Sequence, residues 1–304
     1  MTLPSLFTDL VRAQYRADDA ARVIEGSAAR RVVSLRANAL KAPRDQIAQQ
    51  LDQAGISWEP VSWYDDAFVL PHARERDVWA LSAYEQGMLY LQSLSSMMPA
   101  LALGARAGED LCDMCAAPGG KTTQLAALTA GKAPIMACEL HAPRAEKLRF
   151  NLKRQGVTSA TVLTCDARRL DAFLAFDRVL LDAPCSGSGT LRADDPRAAE
   201  RFTPALLKKV GRAQQALFAK ALELLKPGGT LVYSTCSVLR SENEDVVSAG
   251  LQRAPRGRRF ELRPLDPALF ADAPQLPTAL DGTCCVAPSQ RYEGFFIARI
   301  VRTA

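Results

Sequence analysis

The chain has 304 residues, 48% apolar and 23% charged, an ordinary globular composition with room for one large domain or a large and a small one. No apolar run approaches the roughly 20 residues that a spanning helix requires, so no membrane-spanning helix is expected. The formal charge of +5 admits a polyanionic partner without demanding one. The N-terminus lacks the apolar core of a secretion signal, and Asp9, Asp18 and Asp19 are foreign to a transit peptide. A cytoplasmic protein is expected, and there eight cysteines read as free thiols.

Helical patterns cover 6–15 and 17–25, and 31–36 reads as a strand. A helix follows over 43–54, with Pro43 at its start, Ile47 and Leu51 on one face and Gly55 as its stop. Short strands are predicted near 58–63 and 67–70. The mixture describes a small α+β module ending near 71–84. From residue 110 apolar strands alternate with amphipathic helices, the mark of a parallel α/β sheet. Strands are predicted at 110–114, 134–138, 161–165, 178–181 and 230–234, and helices at 122–128, 143–155, 204–225 and 242–253. The runs 283–286 and 294–301 close the sheet as an antiparallel pair.

Two cysteines sit just past apolar strands, Cys185 in Asp182-Ala183-Pro184-Cys185-Ser186-Gly187 and Cys236 in Tyr233-Ser234-Thr235-Cys236-Ser237. Active sites of open α/β sheets form at the carboxyl ends of strands, so one thiolate that attacks and a second thiol that assists are expected. A buried cysteine more often serves as a small hydrophobe, and that reading is kept for Cys112, Cys138 and Cys165. No metal site is expected: Cys112 and Cys115 have C-x-x-C spacing, but Cys112 lies inside a strand and the chain holds only two histidines.

Asp113, Glu139, Asp166 and Asp182 each end a predicted strand, and the turn Cys115-Ala116-Ala117-Pro118-Gly119-Gly120-Lys121-Thr122 follows the first. Glycines and small residues let backbone approach a ligand, and the next helix offers free N–H groups. Glu139 lies where dinucleotide-type folds place the acid that binds ribose hydroxyls, and Asp166 where an acid reaches an adenine amine. Such a pocket suits an adenosine without phosphate. The competing reading is a P-loop NTPase, since the turn fits G-x-x-x-x-G-K-[ST] except that Cys115 replaces the first glycine. Acids at 139 and 166 would repel a triphosphate and the paired cysteines would have no task.

These blocks, with Glu242-Asn243-Glu244 and the ending Gly294-Phe295-Phe296-Ile297-Ala298, closely resemble the RNA cytosine-5 methyltransferases of the RsmB/NSUN family over roughly residues 85–300. The resemblance implies a Rossmann-like class I methyltransferase sheet over 83–304, with a small α+β N-terminal RNA-binding module over 1–82. It implies S-adenosyl-L-methionine as methyl donor, held by Cys115 through Lys121, Glu139, Arg144, Asp166 and Asp182. It implies Cys236 as nucleophile and Cys185 as the group that assists adduct release, and Asp182 is the candidate for contact with cytosine N3. Cytosine C5 is too poor a nucleophile to take a methyl group unaided, which explains the need for a thiolate that adds at C6. The target base has to be unpaired or flipped from its stack.

The expected partner is structured RNA, ribosomal or transfer, with no DNA and no membrane, bound by a monomer. Among the basic clusters, Arg22, Arg30, Arg31, Arg36, Lys41 and Arg44 are read as RNA contacts, and the run Arg253–Arg263 as a solvated loop. Lys121 either neutralises carboxylates or touches substrate, and His141 has no assigned role. A catalytically silent RNA-binding assembly factor on the same fold is the alternative from another class; the presence of both cysteines and all four acids speaks against it.

Overall fold

The computed structural model describes residues 3–304. Its first sheet is antiparallel, ordered β2-β3-β1-β4, from β1 (Val33–Ala37), β2 (Glu59–Pro60), β3 (Ala67–Leu70) and β4 (Leu89–Leu91). Leu35, Phe68, Leu70 and Leu89 share a core with Ile47, Ala48 and Leu51 of the helix Arg44–Gln53. Their i, i+1, i+4 spacing makes one buried stripe.

Two features of the first module go beyond the sequence reading. The strand β4 lies past the division expected at 82–83 and pairs with β1 through Leu35–Leu91, Arg36–Tyr90 and Ala37–Leu89. A three-residue strand is too short to show alternation. Nor do the first two helices, Ser5–Gln14 and Ala17–Ala28, pack in the small core. Phe7, Val11, Ala20 and Val23 join the core of the large sheet, where the Phe7 ring meets Phe202 edge-on at 5.8 Å.

The second sheet comprises β5 (Leu111–Asp113), β6 (Ile135–Glu139), β7 (Ala160–Thr164), β8 (Phe176–Asp182), β9 (Leu225–Thr235), β10 (Phe260–Arg263), β11 (Gln275–Leu276), β12 (Cys284–Val286) and β13 (Phe295–Arg302). Its order is β11-β12-β13-β9-β8-β5-β6-β7, with β10 also paired to β13. The run from β9 to β7 is parallel, and β13 is antiparallel to both β9 and β12, as the sequence predicted for the C-terminal pair.

Period-two alternation sorts the side chains into layers. Tyr233, Phe296 and Ala298 enter the core beneath the helices Pro204–Glu223 and Glu244–Gln252. Val232, Phe295 and Ile297 enter the opposite core, with the helix Leu94–Leu103 and with Leu148 of the helix Ala142–Arg154. Successive strands from β5 step outward to β7, whereas β8 and β9 step the other way. The order therefore reverses between β5 and β8, where a crevice opens at their carboxyl ends.

Three further differences have local causes. The helix Leu94–Leu103 was not predicted, because it is buried almost all round and carries Pro99, which hides its period. β9 begins at Leu225 and passes through Pro227-Gly228-Gly229 with an irregular register near Phe176 and Arg178, instead of starting after the glycines. Part of the run expected as a solvated loop is the edge strand β10. Among the described residues no helix is long and apolar enough to cross a membrane.

Candidate active site

Asp113 ends β5 and Asp182 ends β8, the two strands that flank the crevice. Asp113 is 1% exposed; its Oδ2 accepts a hydrogen bond from Thr122 Oγ1 at 2.7 Å, while Oδ1 is buried without a partner. Burial pushes this carboxyl up to about 6, partly opposed by the Thr122 bond and the charge of Lys121.

The turn between β5 and its helix is held from behind. Arg144 donates to Ala117 O at 2.8 Å and Asn151 to Pro118 O at 2.7 Å. Gly119 has φ 110, a conformation that side chains rarely adopt, and a Cβ there would stand 3.0 Å from Leu148 Cδ1. The helix Gly120–Leu128 then begins at the crevice with free N–H groups.

Lys121 leaves that helix and bridges the crevice. Its Nζ donates to Asp182 Oδ2 and to Ser96 Oγ, both at 2.7 Å, and lies 5.3 Å from the centre of the Phe295 ring. Burial opposes its charge, but Asp182 prevails and holds the ammonium above its usual range. The other oxygen of Asp182 accepts from Ser234 Oγ at 2.8 Å. Of the two readings of Lys121, neutralising a carboxylate is the one seen. Lys121 is thus tied to Asp182, and its neighbour Thr122 to Asp113.

The pairing Asp182–Ser234 sets β8 and β9 side by side in parallel register, so the loops that leave them run together. The Sγ atoms of Cys185 and Cys236 stand 3.2 Å apart. Cys236 and Lys121 line a cavity of about 720 Å³, together with Asp113, Asp182 and the turn residues Cys115 to Pro118. Cys185 lies behind Cys236 and does not line it. Its thiol is held well above the usual range by the hydrogen bond to Cys236, by burial and by nearby negative charge including Glu242.

Glu139 and Asp166 stand apart from that cavity. Glu139 is buried, accepts from the His141 backbone N–H at 2.9 Å, and faces Arg144 across 3.3 Å. Asp166 caps a short turn and receives the fork of Arg168, whose hydrogen bonds pull its carboxyl below the usual range. All eight cysteines are free thiols.

Sequence reasoning gave no role to Ser96, Ser234, Phe295 or Glu242. The last three lie inside motif blocks and were within reach. Ser96 sits on the unpredicted helix and had no signal. The expected RNA cluster is divided by the fold: Arg36 is fully buried, donating to Gln92 Oε1 at 2.8 Å and Gly120 O at 2.9 Å, and Lys41 donates to Gln86 O and Arg154 O. Only Arg30 and Arg31 of that cluster line the cavity, joined there by Arg74, Arg192 and Arg291.

A sheet of this order, with an antiparallel strand inserted beside the last parallel one and a ligand crevice at its switch point, defines a Rossmann-like methyltransferase fold. Residues 100–301 match the model of 16S rRNA methyltransferase RsmB/F, and the chain belongs to that family. Residues 3–76 match the ferredoxin-like domain of RsmF/B-like methyltransferases. Ribosomal RNA small subunit methyltransferase F of Shewanella amazonensis is 39% identical over 278 residues, covering 90% of this chain and 58% of that protein. The protein of the same name from Erwinia tasmaniensis is 37% identical over 295 residues, covering 95% and 61%. The chain thus spans less than two thirds of the length of these curated relatives. A solved methyltransferase homologue from Pyrococcus horikoshii superimposes with TM-score 0.81 and 30% identity, over 98% of this chain and 99% of its own. NSun6 from the same organism, solved with SFG, gives 0.84 at 21% identity over 99% and 98%, a likeness of fold.

Proposed function

We propose that the chain transfers a methyl group from S-adenosyl-L-methionine to C5 of a cytosine in RNA, through a covalent adduct on Cys236. The observation that carries this reading is the 3.2 Å thiol pair at the ends of β8 and β9, of which Cys236 lines the cavity that Asp113 and Asp182 share. The donor set fits the methyl donor: an unpartnered buried carboxylate oxygen on Asp113 suits a cationic ligand rich in N–H and O–H groups. Glu139 is the ribose ligand in this reading, Asp166 the adenine ligand once its carboxylate turns from Arg168, and Arg144 the brace that joins Glu139 to the turn. The bound donor supplies an electrophilic methyl on a sulfonium.

Cys236 as thiolate adds to C6 of the target base, and a proton or hydrogen bond at N3, for which Asp182 is the candidate side chain, draws off the charge. The C6–S bond makes C5 nucleophilic, so C5 can bond to the methyl carbon. Loss of the C5 proton to a base then restores the ring double bond as the C6–S bond breaks and its electron pair returns to Cys236. Cys185, protonated against Cys236, is placed to give that sulfur a proton as it leaves. Lys121 keeps Asp182 aimed into the cavity.

The RNA backbone would lie on the arginine rim. Arg30, Arg31 and Arg74 have no carboxylate within ion-pairing distance among the described residues, whereas Arg192 is paired with Asp194 and Arg291 with Glu59. Arginine forks suit phosphate oxygens, and RNA phosphates draw an unpaired cationic rim. The N-terminal module is in this reading an RNA-binding part, working in the cytoplasm as a monomer. The relatives' names point to ribosomal RNA of the small subunit as the target. Mapping 5-methylcytosine in cellular RNA with and without the protein tests this: one cytosine should lose its mark, and an unchanged map across ribosomal and transfer RNA would favour the silent assembly factor.

A further inference from the structure

Glu242 is 2% exposed, and among the described residues no Lys or Arg stands within ion-pairing distance of it. Its carboxylate is nonetheless satisfied, entirely by hydrogen bonds from the two cysteine loops and one helix. From the Cys185 loop, the Ser186 backbone N–H donates to Oε1 at 2.7 Å and Ser186 Oγ to Oε2 at 2.6 Å. From the Cys236 loop, Ser237 Oγ donates to Oε2 at 2.6 Å. Gln214 of the helix Pro204–Glu223 reaches Oε1 at 3.4 Å and Pro184 O at 3.0 Å. Behind it, Tyr233 of β9 donates to the Glu242 carbonyl at 2.6 Å, and Ser188 Oγ lies 2.7 Å from Ser237 Oγ.

One carboxylate thus binds the residue after each cysteine. A group that accepts three short bonds and donates none is costly to bury unless every bond is kept. Moving either loop breaks bonds that the other loop's partners cannot replace.

We propose that Glu242 is a positioning residue that sets the 3.2 Å separation of the Cys185 and Cys236 sulfurs by bridging Ser186 and Ser237. Glu242 does not line the substrate cavity, so it acts through the thiols and touches neither substrate nor donor. The proposal rests on the reading of these thiols as the reacting pair, yet the spacing itself can be read without RNA. Hydrogen peroxide oxidises one thiol to a sulfenic acid with loss of water, and the neighbouring thiol then displaces a second water to close the disulfide, a step that slows as the sulfurs separate.

The experiment compares wild type, Glu242→Gln, Ser186→Ala and Ser237→Ala by the rate at which the sulfenic acid formed under peroxide closes to the Cys185–Cys236 disulfide, measured in competition with a sulfenic-acid trap and read by peptide mass. Methylation kinetics of the same proteins are measured on ribosomal RNA. Glu242→Gln should slow crosslinking at least tenfold and lower kcat while leaving KM for the methyl donor unchanged. Each serine variant should do so more weakly, and adding it to Glu242→Gln should cost little more, since all three act through one group. The serine variants keep the test open if Glu242→Gln folds poorly. Crosslinking and kcat at wild-type rates in folded variants would overturn the proposal. Impaired crosslinking in a protein whose wild type methylates nothing would instead uphold the bridge and defeat the methyltransferase reading.

Discussion

Lys121 Nζ and Asp182 Oδ2 meet at 2.7 Å, joining the helix after the glycine turn to the end of β8 across the crevice. The two side chains are 11% and 28% exposed, so the pair is largely removed from water. Removing the cation leaves a carboxylate facing Asp113 with no counter-charge. Lys121→Met should therefore lower unfolding free energy by about 2 kcal/mol, less than a fully buried pair would lose. Denaturant titration checks this, and a change below about 0.5 kcal/mol would make the pair a surface-like contact.

The two thiols should separate by phenotype. Cys236→Ala is expected to abolish both methylation and covalent attachment to RNA, because it removes the cavity-lining thiol that adds to the base. Cys185→Ala should accumulate a protein–RNA adduct, seen as a slow band on a denaturing gel, because the leaving sulfur loses the thiol 3.2 Å away. If Cys185→Ala formed no adduct and Cys236→Ala did, the two roles would be exchanged.

Asp113 gives a pH prediction with a definite sign. Its folded carboxyl is pushed up to about 6 from an ordinary 3.8, chiefly by burial. The folded state thus holds the proton more tightly, and this contribution to stability is present below the ordinary value and lost as pH rises through about 6. Asp113→Asn should stabilise the ligand-free protein by up to about 3 kcal/mol at pH 8 and by little near pH 4. Binding of the cationic methyl donor should tighten from pH 5 to 7 in wild type and lose that dependence in Asp113→Asn. Thermal melts and calorimetric titrations across that range read both effects.

Gly119→Ala forces a side chain into φ 110 and against Leu148 Cδ1 at 3.0 Å. The backbone strain alone should cost about 1–3 kcal/mol. Because the turn borders the cavity, affinity for the methyl donor should fall with stability. A variant with wild-type melting temperature and affinity would show that the turn tolerates rearrangement.

The arginine rim is tested by salt. For single-stranded RNA, each lost phosphate contact reduces the slope of log affinity against log salt by about 0.7. Arg30→Gln and Arg74→Gln, whose side chains make no hydrogen bond within the described residues, should each show that change. An unchanged slope in the double variant would place the RNA elsewhere.

The large sheet was readable in the chain because its strands are apolar runs that end in Asp113, Glu139 and Asp182, and its helices keep a 3.6-residue stripe. The short β4, the buried helix Leu94–Leu103 and the edge strand β10 were not, since length, burial on all sides and charge each erase periodicity. Arg36 shows the limit of counting charge: it sits in a basic cluster yet is wholly buried, donating to Gln92, Gly120 and Thr123.

The sequence by itself determined the order and chemistry of the site: two thiols, a glycine turn and acids, each at a strand end. Local pattern carries that much, because strand, turn and cap are written in adjacent residues. Only the tertiary structure decided which groups meet. The parallel register of β8 on β9 brings Cys185 to Cys236 across 51 positions, and Glu242 binds both of their loops. The same fold carries Arg31 into the cavity of Cys236 and leaves Asp166 with Arg168. Such pairings follow from backbone register and packing between distant segments, which no stretch of neighbouring residues encodes.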